Sequence, residues 1–351
     1  MKKAAIAILL VLCIALGLAP CTAAAGDGAA GSAMVLTINE IDTWNLSAEQ
    51  AKAYAKVIKE AGGDPMRETL NIVRTVDGNT FYFDGQFGFY RVFTFVDGAR
   101  SYPKVETPEH FYNAARAFGK FQKQLAGFPA KDLYETIPNF HNTESRFKDL
   151  LWAIEEDAAH RVAFVENEIK FAKARMKKCR MILDAIDDGS VPTRVTHNDT
   201  KYDNILIDDR TGEAICIIDL DTVMPGSALY DYGDSLRFGT NNGAEDDRDL
   251  SNVFCRLDLF EEFTRGYLEE LGHTLTPKEI ELMPVAGQII TYECGIRFLT
   301  DFINGDKYFK VHRPSHNLDR ARAQFKLVED MEDKYDEMAR IVNKYREMCC
   351  Q

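Results

Sequence analysis

Val195-Thr196-His197-Asn198-Asp199-Thr200-Lys201-Tyr202-Asp203-Asn204-Ile205-Leu206 is followed, at the end of the next hairpin, by Ile217-Ile218-Asp219-Leu220-Asp221. The apolar runs Val191–Thr196, Ile205–Ile207 and Ala214–Leu220 are bounded by polar turns, which predicts three short buried strands. The loop between the first two carries an Asp, a Lys and an Asn, and the third ends on a second carboxylate. Such a set suits chemistry that depends on positioning and charge neutralisation more than on covalent help. Asp199, at the start of the loop, can accept the proton of an attacking hydroxyl, and Lys201 can reach a phosphate oxygen. Asn204 and Asp219 offer hard oxygens to a divalent ion. His197 is read as a hydrogen-bonding support of the loop. A lone His-x-Asp or Ile-Asp is weak evidence, but the whole run, with strands between its parts, is specific.

Further motifs surround this run: Arg194–Asp199 with Thr200-Lys201, Ile218–Pro225 (IDLDTVMP), Asp231–Gly239 (DYGDSLRFG), Glu293-Cys294-Gly295-Ile296-Arg297-Phe298 and His316-Asn317-Leu318. Together they resemble the aminoglycoside phosphotransferase and choline kinase superfamily, and within it the N-acetylhexosamine 1-kinase branch, from about Glu68 to the C-terminus. The resemblance implies an α+β, protein-kinase-like fold of two lobes, with ATP and Mg2+ as cofactors. The implied reaction transfers the γ-phosphate to the anomeric hydroxyl of GlcNAc or GalNAc. Position by position, it makes Asp199 the base and Asn204 and Asp219 the Mg2+ ligands, while Lys201 keeps its reading as a catalytic residue that reaches a phosphate oxygen. Asp221 stands behind Asp219 as a metal candidate, and Asp231 or Asp234 is expected to brace the loop. Arg297 and Tyr308 would approach the sugar, while Tyr90, Phe95 and Asp97 would belong to the strand and hinge beside adenine. Arg297 also has a plainer reading, because Glu293 lies one helical turn earlier and could pair with it.

The N-terminus departs from that pattern. Lys2 and Lys3 precede an apolar run from Ala4 to Ala19, and Ala23-Ala24-Ala25 offers a small-residue cleavage site, the layout of a secretory signal peptide. Gly26–Gly31 spells G-x-G-x-x-G, but too few residues separate it from Val35 for a loop joining two strands. Met34–Asn39, which resembles the end of the third strand of the kinase upper lobe, contains no lysine to meet phosphates. The expected organisation is therefore a signal-like segment and linker over 1–33, an incomplete N-terminal lobe over 34–98 and a helical C-terminal lobe over 99–351. An active kinase belongs in the cytoplasm, where ATP is, whereas residues 1–25 argue for export. Two alternatives to the sugar kinase stand open. One is a non-catalytic pseudokinase that binds a sugar or a partner; the other is a kinase for an amino alcohol or aminoglycoside.

Composition narrows the class. A net charge of −13 and a pI near 5.1 argue against a nucleic-acid binder, which needs a basic face. Eight cysteines without a CxxC pair give neither a zinc framework nor a redox motif, and Cys216 reads as a small buried hydrophobe. No stretch beyond the N-terminal segment could span a membrane, and oligomeric state is left open. Helices are expected from a Ser47 cap to Ala61, from Thr107-Pro108-Glu109 to Gly127, over Ser145–Asp187 as one or two long elements, and as one long helix from about Asn317. Strands are expected at Val35–Ile38, Thr80–Phe83 and Tyr90–Phe95.

Overall fold

The structure, a computed structural model, describes residues 33–38, 48–86 and 88–349. The signal-like segment, the Gly26–Gly31 motif and the Ser47 cap lie outside the described residues. The chain divides into two compact units. One runs to Arg100 and includes Leu206–Asp221; the other comprises Ser101–Ile205 and Thr222–Gln351.

In the first unit, strands β1 (Ala33–Ile38), β2 (Tyr82–Asp84) and β3 (Gly88–Thr94) form an antiparallel sheet in the order β1-β3-β2. Leu36 lies opposite Arg91, and Tyr82 opposite Tyr90. Helix α1 (Ala48–Glu60) stops where Gly62 takes a φ of 82°, a left-handed backbone that glycine adopts without penalty. The short helix α2 (Pro65–Glu68) is capped by Asp64. A second sheet joins β4 (Ala99–Arg100), β6 (Ile205–Asp208) and β7 (Ala214–Ile217) in the order β4-β6-β7. Arg67 ties α2 to this sheet by donating to Asp208 at 2.8 Å. Cys216 is buried on β7, and burial pushes its thiol up to about 12.

The second unit is helical. Helix α3 (Pro108–Leu125) begins as its sequence predicts, with the Thr107 hydroxyl accepting the His110 N–H at 3.2 Å. Its Phe111, Ala114, Phe118, Phe121 and Leu125 are all buried. At the centre lies α9 (Pro277–Ile303), started by a reciprocal capping box between Thr276 and Glu279 and buried on nearly every face. Helices α4 (Thr143–Glu156), α7 (Ala228–Gly239) and α10 (His316–Asp333) pack around it. Gly233 of α7 comes so close to α9 that a Cβ there would lie 2.7 Å from the Ala286 carbonyl oxygen, which fixes the glycine of Asp231-Tyr232-Gly233-Asp234. Among the described residues, no helix is long and apolar enough to cross a membrane.

Two expectations need correction, and one strand was not expected. Ser145–Asp187 is not one or two long helices but α4, α5 (Glu166–Ala174) and α6 (Met181–Asp187). The break begins at Asp157, which is left-handed at a φ of 39° and whose carboxylate caps the Arg161 and Val162 N–H groups at 2.8 and 3.0 Å. The C-terminal helix is likewise two, α10 and α11 (Tyr335–Cys349), parted at Lys334, whose ammonium bonds Asp330 and the Cys255 carbonyl. Finally, β5 (Arg194–Thr196) pairs with β8 (Met224–Gly226), a strand of three residues that the proline at its centre hid. Between α7 and α9, α8 (Leu257–Leu271) packs along α3.

Candidate active site

The loop after β5 is built around one strained residue. Asn198 is left-handed, with a φ of 66°, a conformation of a non-glycine residue that persists only where surroundings over-determine it. Here they do. The Asp231 carboxylate on α7 accepts the His197 and Asn198 N–H groups at 3.0 and 2.7 Å. The Asn198 amide donates to the Thr196 and Thr222 carbonyls at 3.2 and 2.9 Å, and Thr196 donates back to it at 3.0 Å. Thr200 donates to the Asp231 carbonyl at 2.6 Å. Gly226 of β8 leaves room for this knot, since a Cβ there would sit 2.3 Å from the Thr196 hydroxyl. Asp231 thus braces the loop as expected, and His197, fully buried with Phe118 and Phe121 edge-on, supports it by accepting the Asp199 N–H at 3.3 Å.

Asp199, Lys201 and Asn204 are brought together on this frame. Lys201 Nζ lies 3.2 Å from Asp199 Oδ2, and Asn204 Nδ2 donates to the same oxygen at 3.1 Å and to the Asp199 carbonyl at 2.8 Å. Asp199 Oδ1 has no hydrogen bond among the described residues. Burial disfavours the Lys201 charge, but Asp199, Asp203 and Asp234 outweigh it and raise its pKa.

Arg297 and Tyr308 also meet. They line a cavity of about 260 Å³ with Arg146, Asp149, Trp152 and Asp301. The plainer expectation for Arg297 fails, because Glu293 is taken by His141 at 2.8 Å and Thr143 at 2.7 Å. The Arg297 guanidinium instead lies over Phe140 and Phe309, 5.0 and 5.6 Å from their ring centres. Asp301 fixes the Tyr308 loop by accepting the N–H groups of Lys307, Tyr308 and Phe309 at 2.9, 2.8 and 2.9 Å. Asn317 donates to Asp301 as well, at 2.8 Å, which accounts for the His316-Asn317-Leu318 motif. Burial and the neighbouring Arg297 lower the pKa of Arg146.

In the first unit, Asp219 is left-handed at a φ of 56°. Asp221 accepts from Arg91 at 2.5 Å, and Arg91 is a nearly buried side chain (5% exposed) on β3. Tyr90 is buried on the same strand, while Phe95 and Asp97 follow it exposed. Sequence reasoning missed Arg91, His141 and Arg146. Only Arg91, a charge in the apolar run Tyr90–Phe95, carried a local signal.

The profile of the family described as "Phosphotransferase enzyme family" (APH) matches residues 17–270, more than half of the chain. The chain belongs to this family. Among solved structures, the phosphotransferase is similar to an aminoglycoside phosphotransferase from Alicyclobacillus acidocaldarius subsp. acidocaldarius DSM 446. That match has 15% identity and a TM-score of 0.52, covering 91% of this chain and 87% of the other. A microcompartment-associated aminopropanol kinase matches at 13% identity and a TM-score of 0.50, covering 88% and 87%. These likenesses establish the α+β, protein-kinase-like fold of the phosphotransferase.

Among the described residues, no group of three or more His, Cys, Asp and Glu could hold a metal. A donor set of one amide and one carboxylate oxygen, completed by phosphate oxygens, does not need such a group. Asn204 fits that role: its Nδ2 is engaged by Asp199, which leaves Oδ1, the hard donor that Mg2+ favours, without a hydrogen bond among the described residues.

Proposed function

We propose that the protein is an ATP-dependent kinase that phosphorylates the anomeric hydroxyl of an N-acetylhexosamine, GlcNAc or GalNAc. The observation that carries this is Asp199, with Oδ2 held by Lys201 and Asn204 and Oδ1 left to accept a proton. In a phosphotransferase, a carboxylate so restrained is a general base for an acceptor hydroxyl. Asp199 takes that proton as the hydroxyl oxygen attacks, and Lys201 neutralises charge on the transferred group. Asn204 and Asp219 would hold Mg2+, and Tyr90, Phe95 and Asp97 would form the strand and hinge beside adenine. ATP would supply the γ-phosphoryl group, its bond to the β-phosphate oxygen breaking as ADP leaves, and Mg2+ would neutralise phosphate charge. With no lysine in Met34–Asn39, Arg91 is a buried cation among the described residues of the proposed nucleotide half, over 34–98. Residues 99–351 would carry the acceptor.

The cavity with Arg297 and Tyr308 is the proposed acceptor pocket. Two guanidinium groups, Arg146 and Arg297, line it, Asp301 is saturated by backbone donors, and Asp149 stands 3.8 Å from Arg146. That balance suits hydroxyl and acetamido oxygens and repels a cationic amino alcohol or aminoglycoside. The exposed rings of Trp152 and Tyr308 offer flat apolar faces to a sugar. An active kinase of this kind would work in the cytoplasm, where ATP is, whereas the signal-like residues 1–25 would favour export. The absence of a β1 lysine favours a second reading, a sugar-binding pseudokinase.

The test is Mg2+- and ATP-dependent turnover with GlcNAc and GalNAc against choline, ethanolamine and an aminoglycoside. Hexosamine should be the acceptor, and Asp199→Asn should lower kcat by about 100- to 10,000-fold. Unchanged turnover in that variant would remove Asp199 as the base. Turnover of choline alone would remove the sugar, and hexosamine binding without turnover would establish the pseudokinase.

A further inference from the structure

We propose that His141 is a charged positioning residue: an imidazolium clamped between the Glu293 carboxylate and the Asn198 carbonyl, which holds the peptide that aims Asp199. Its ring is buried, with Nδ1 2.8 Å from Glu293 Oε1 and Nε2 2.9 Å from the Asn198 oxygen. A carbonyl oxygen can only accept. An ionised carboxylate can only accept as well, and Glu293 already receives the Thr143 hydroxyl at 2.7 Å. Both ring nitrogens therefore have to donate, and a neutral imidazole can donate from only one. The other distribution, a neutral ring facing a protonated Glu293, moves the same proton across one hydrogen bond.

The charge distribution around the ring favours the imidazolium. The groups facing the ring are Glu293 on α9, Asp234 and Tyr230 on α7 (the tyrosine ring centre at 5.1 Å), Thr143 and the Phe140 ring. Burial opposes a charge on His141, but Glu293, the bond to Asn198 and Asp234 together raise its pKa.

The clamp acts on one peptide. The Asn198 carbonyl accepts from His141, while the N–H of the same unit, that of Asp199, donates to His197 at 3.3 Å. Pinned at both ends, this peptide sets the direction in which the Asp199 side chain leaves the chain, beside a residue whose left-handed φ of 66° would otherwise relax. Glu293 sits one turn before Arg297, so the clamp also ties the loop to the helix carrying the proposed acceptor contact. The functional half of this inference rests on the kinase reading; the protonation half does not.

The experiment uses the full chain. Side-chain nitrogen NMR of the seven histidines, with His141 identified by its loss in His141→Gln, should show both ring nitrogens protonated at about pH 8, where an imidazole with a pKa of about 6.5 is neutral. An unprotonated nitrogen in that ring overturns the proposal. In turnover, His141→Gln should lower kcat on the order of 100-fold, with KM for ATP moving less than about threefold. Glu293→Gln keeps an acceptor oxygen but removes the charge, so its kcat should fall as pH rises through the ordinary imidazole range, where wild type holds. Folded variants with wild-type kcat across that range overturn the positioning role. If wild type turns over no acceptor, the kinase reading fails instead. Hydrogen exchange at the Asp199 amide then decides the clamp: faster exchange in His141→Gln sustains it, and unchanged exchange overturns it.

Discussion

Two regions of the helical unit each present an arginine to a cavity, and they treat it differently. At the end of α7, Arg237 is buried, donating to Asp234 at 2.8 Å and to Glu245 at 2.9 Å. Near the end of α9, Arg297 is half-buried, and its guanidinium lies over the faces of Phe140 and Phe309. The first arginine has its charge answered by the fold. The second shares its cavity with Asp149 and Asp301 but has no ion pair with a carboxylate among the described residues, a condition in which a guanidinium is available to a ligand. Both arginines sit in motifs that carry the family resemblance, so motif membership alone does not separate structure from recognition.

The largest effect should come from breaking the answered pair. Arg237→Met leaves Asp234 buried without its cation, and breaking such a pair costs about 3–5 kcal/mol. Burial raises the Asp234 pKa, but Arg237, His141 and Lys201 outweigh it and lower the pKa overall. Its contribution is therefore present above the unfolded value of about 3.9 and lost as pH falls through the folded value. In the variant, Asp234 takes up a proton more readily, so the penalty should be greatest near neutrality and shrink in acid. Chemical denaturation near pH 7 and pH 4 reads both. A penalty below about 1 kcal/mol at neutrality would put Arg237 in the same class as Arg297.

Arg297→Met should show the opposite profile. A Met side chain keeps apolar contact area beside the two rings and breaks no ion pair among the described residues, so stability should move by less than about 1 kcal/mol. Acceptor KM should rise about 10- to 100-fold, the scale of a hydrogen bond to a charged group. A large loss of stability with unchanged acceptor KM would make Arg297 structural after all. Arg146→Met sharpens the point at smaller amplitude: with one guanidinium gone, discrimination against a cationic acceptor should relax, read as the ratio of kcat/KM for GlcNAc to that for choline.

How much of this was legible in the sequence follows from the range of each interaction. Asp199, Lys201 and Asn204 lie in one loop between apolar strands, so spacing alone predicted that they would meet. The α3 cap at Thr107 and the stop at Gly62 were legible for the same local reason. His141 and Glu293 are 152 residues apart, and nothing near either residue marks the other as its partner. The pairing expected for Arg297 failed because one-turn spacing permits a contact, while Thr143 and His141, from a different part of the chain, claimed Glu293 first. The helix break at Lys334 was hidden because Val328, Met331, Tyr335 and Met338 keep helical spacing across it, and the one at Asp157 because no glycine or proline marks it.

The smallest effect tests whether His141 belongs with the answered arginine. Its folded pKa is raised, so its contribution is fully present below the unfolded value of about 6.5 and is lost as pH rises through the folded value. Each unit of that elevation is worth about 1.4 kcal/mol. Glu293→Gln removes the carboxylate that sustains it. The stability gap between wild type and this variant should then be widest near pH 6 and narrow as the solution turns alkaline, the reverse of the Arg237→Met profile. A gap that stays flat from about pH 6 to pH 9 would mean that the proton on His141 does not depend on Glu293. The two opposed slopes share one cause: each follows the buried group that loses its counter-charge, a carboxylate at Asp234 and an imidazolium at His141. Arg297, the proposed acceptor contact, has no ion pair to lose among the described residues, so Arg297→Met should leave the pH dependence of stability unchanged.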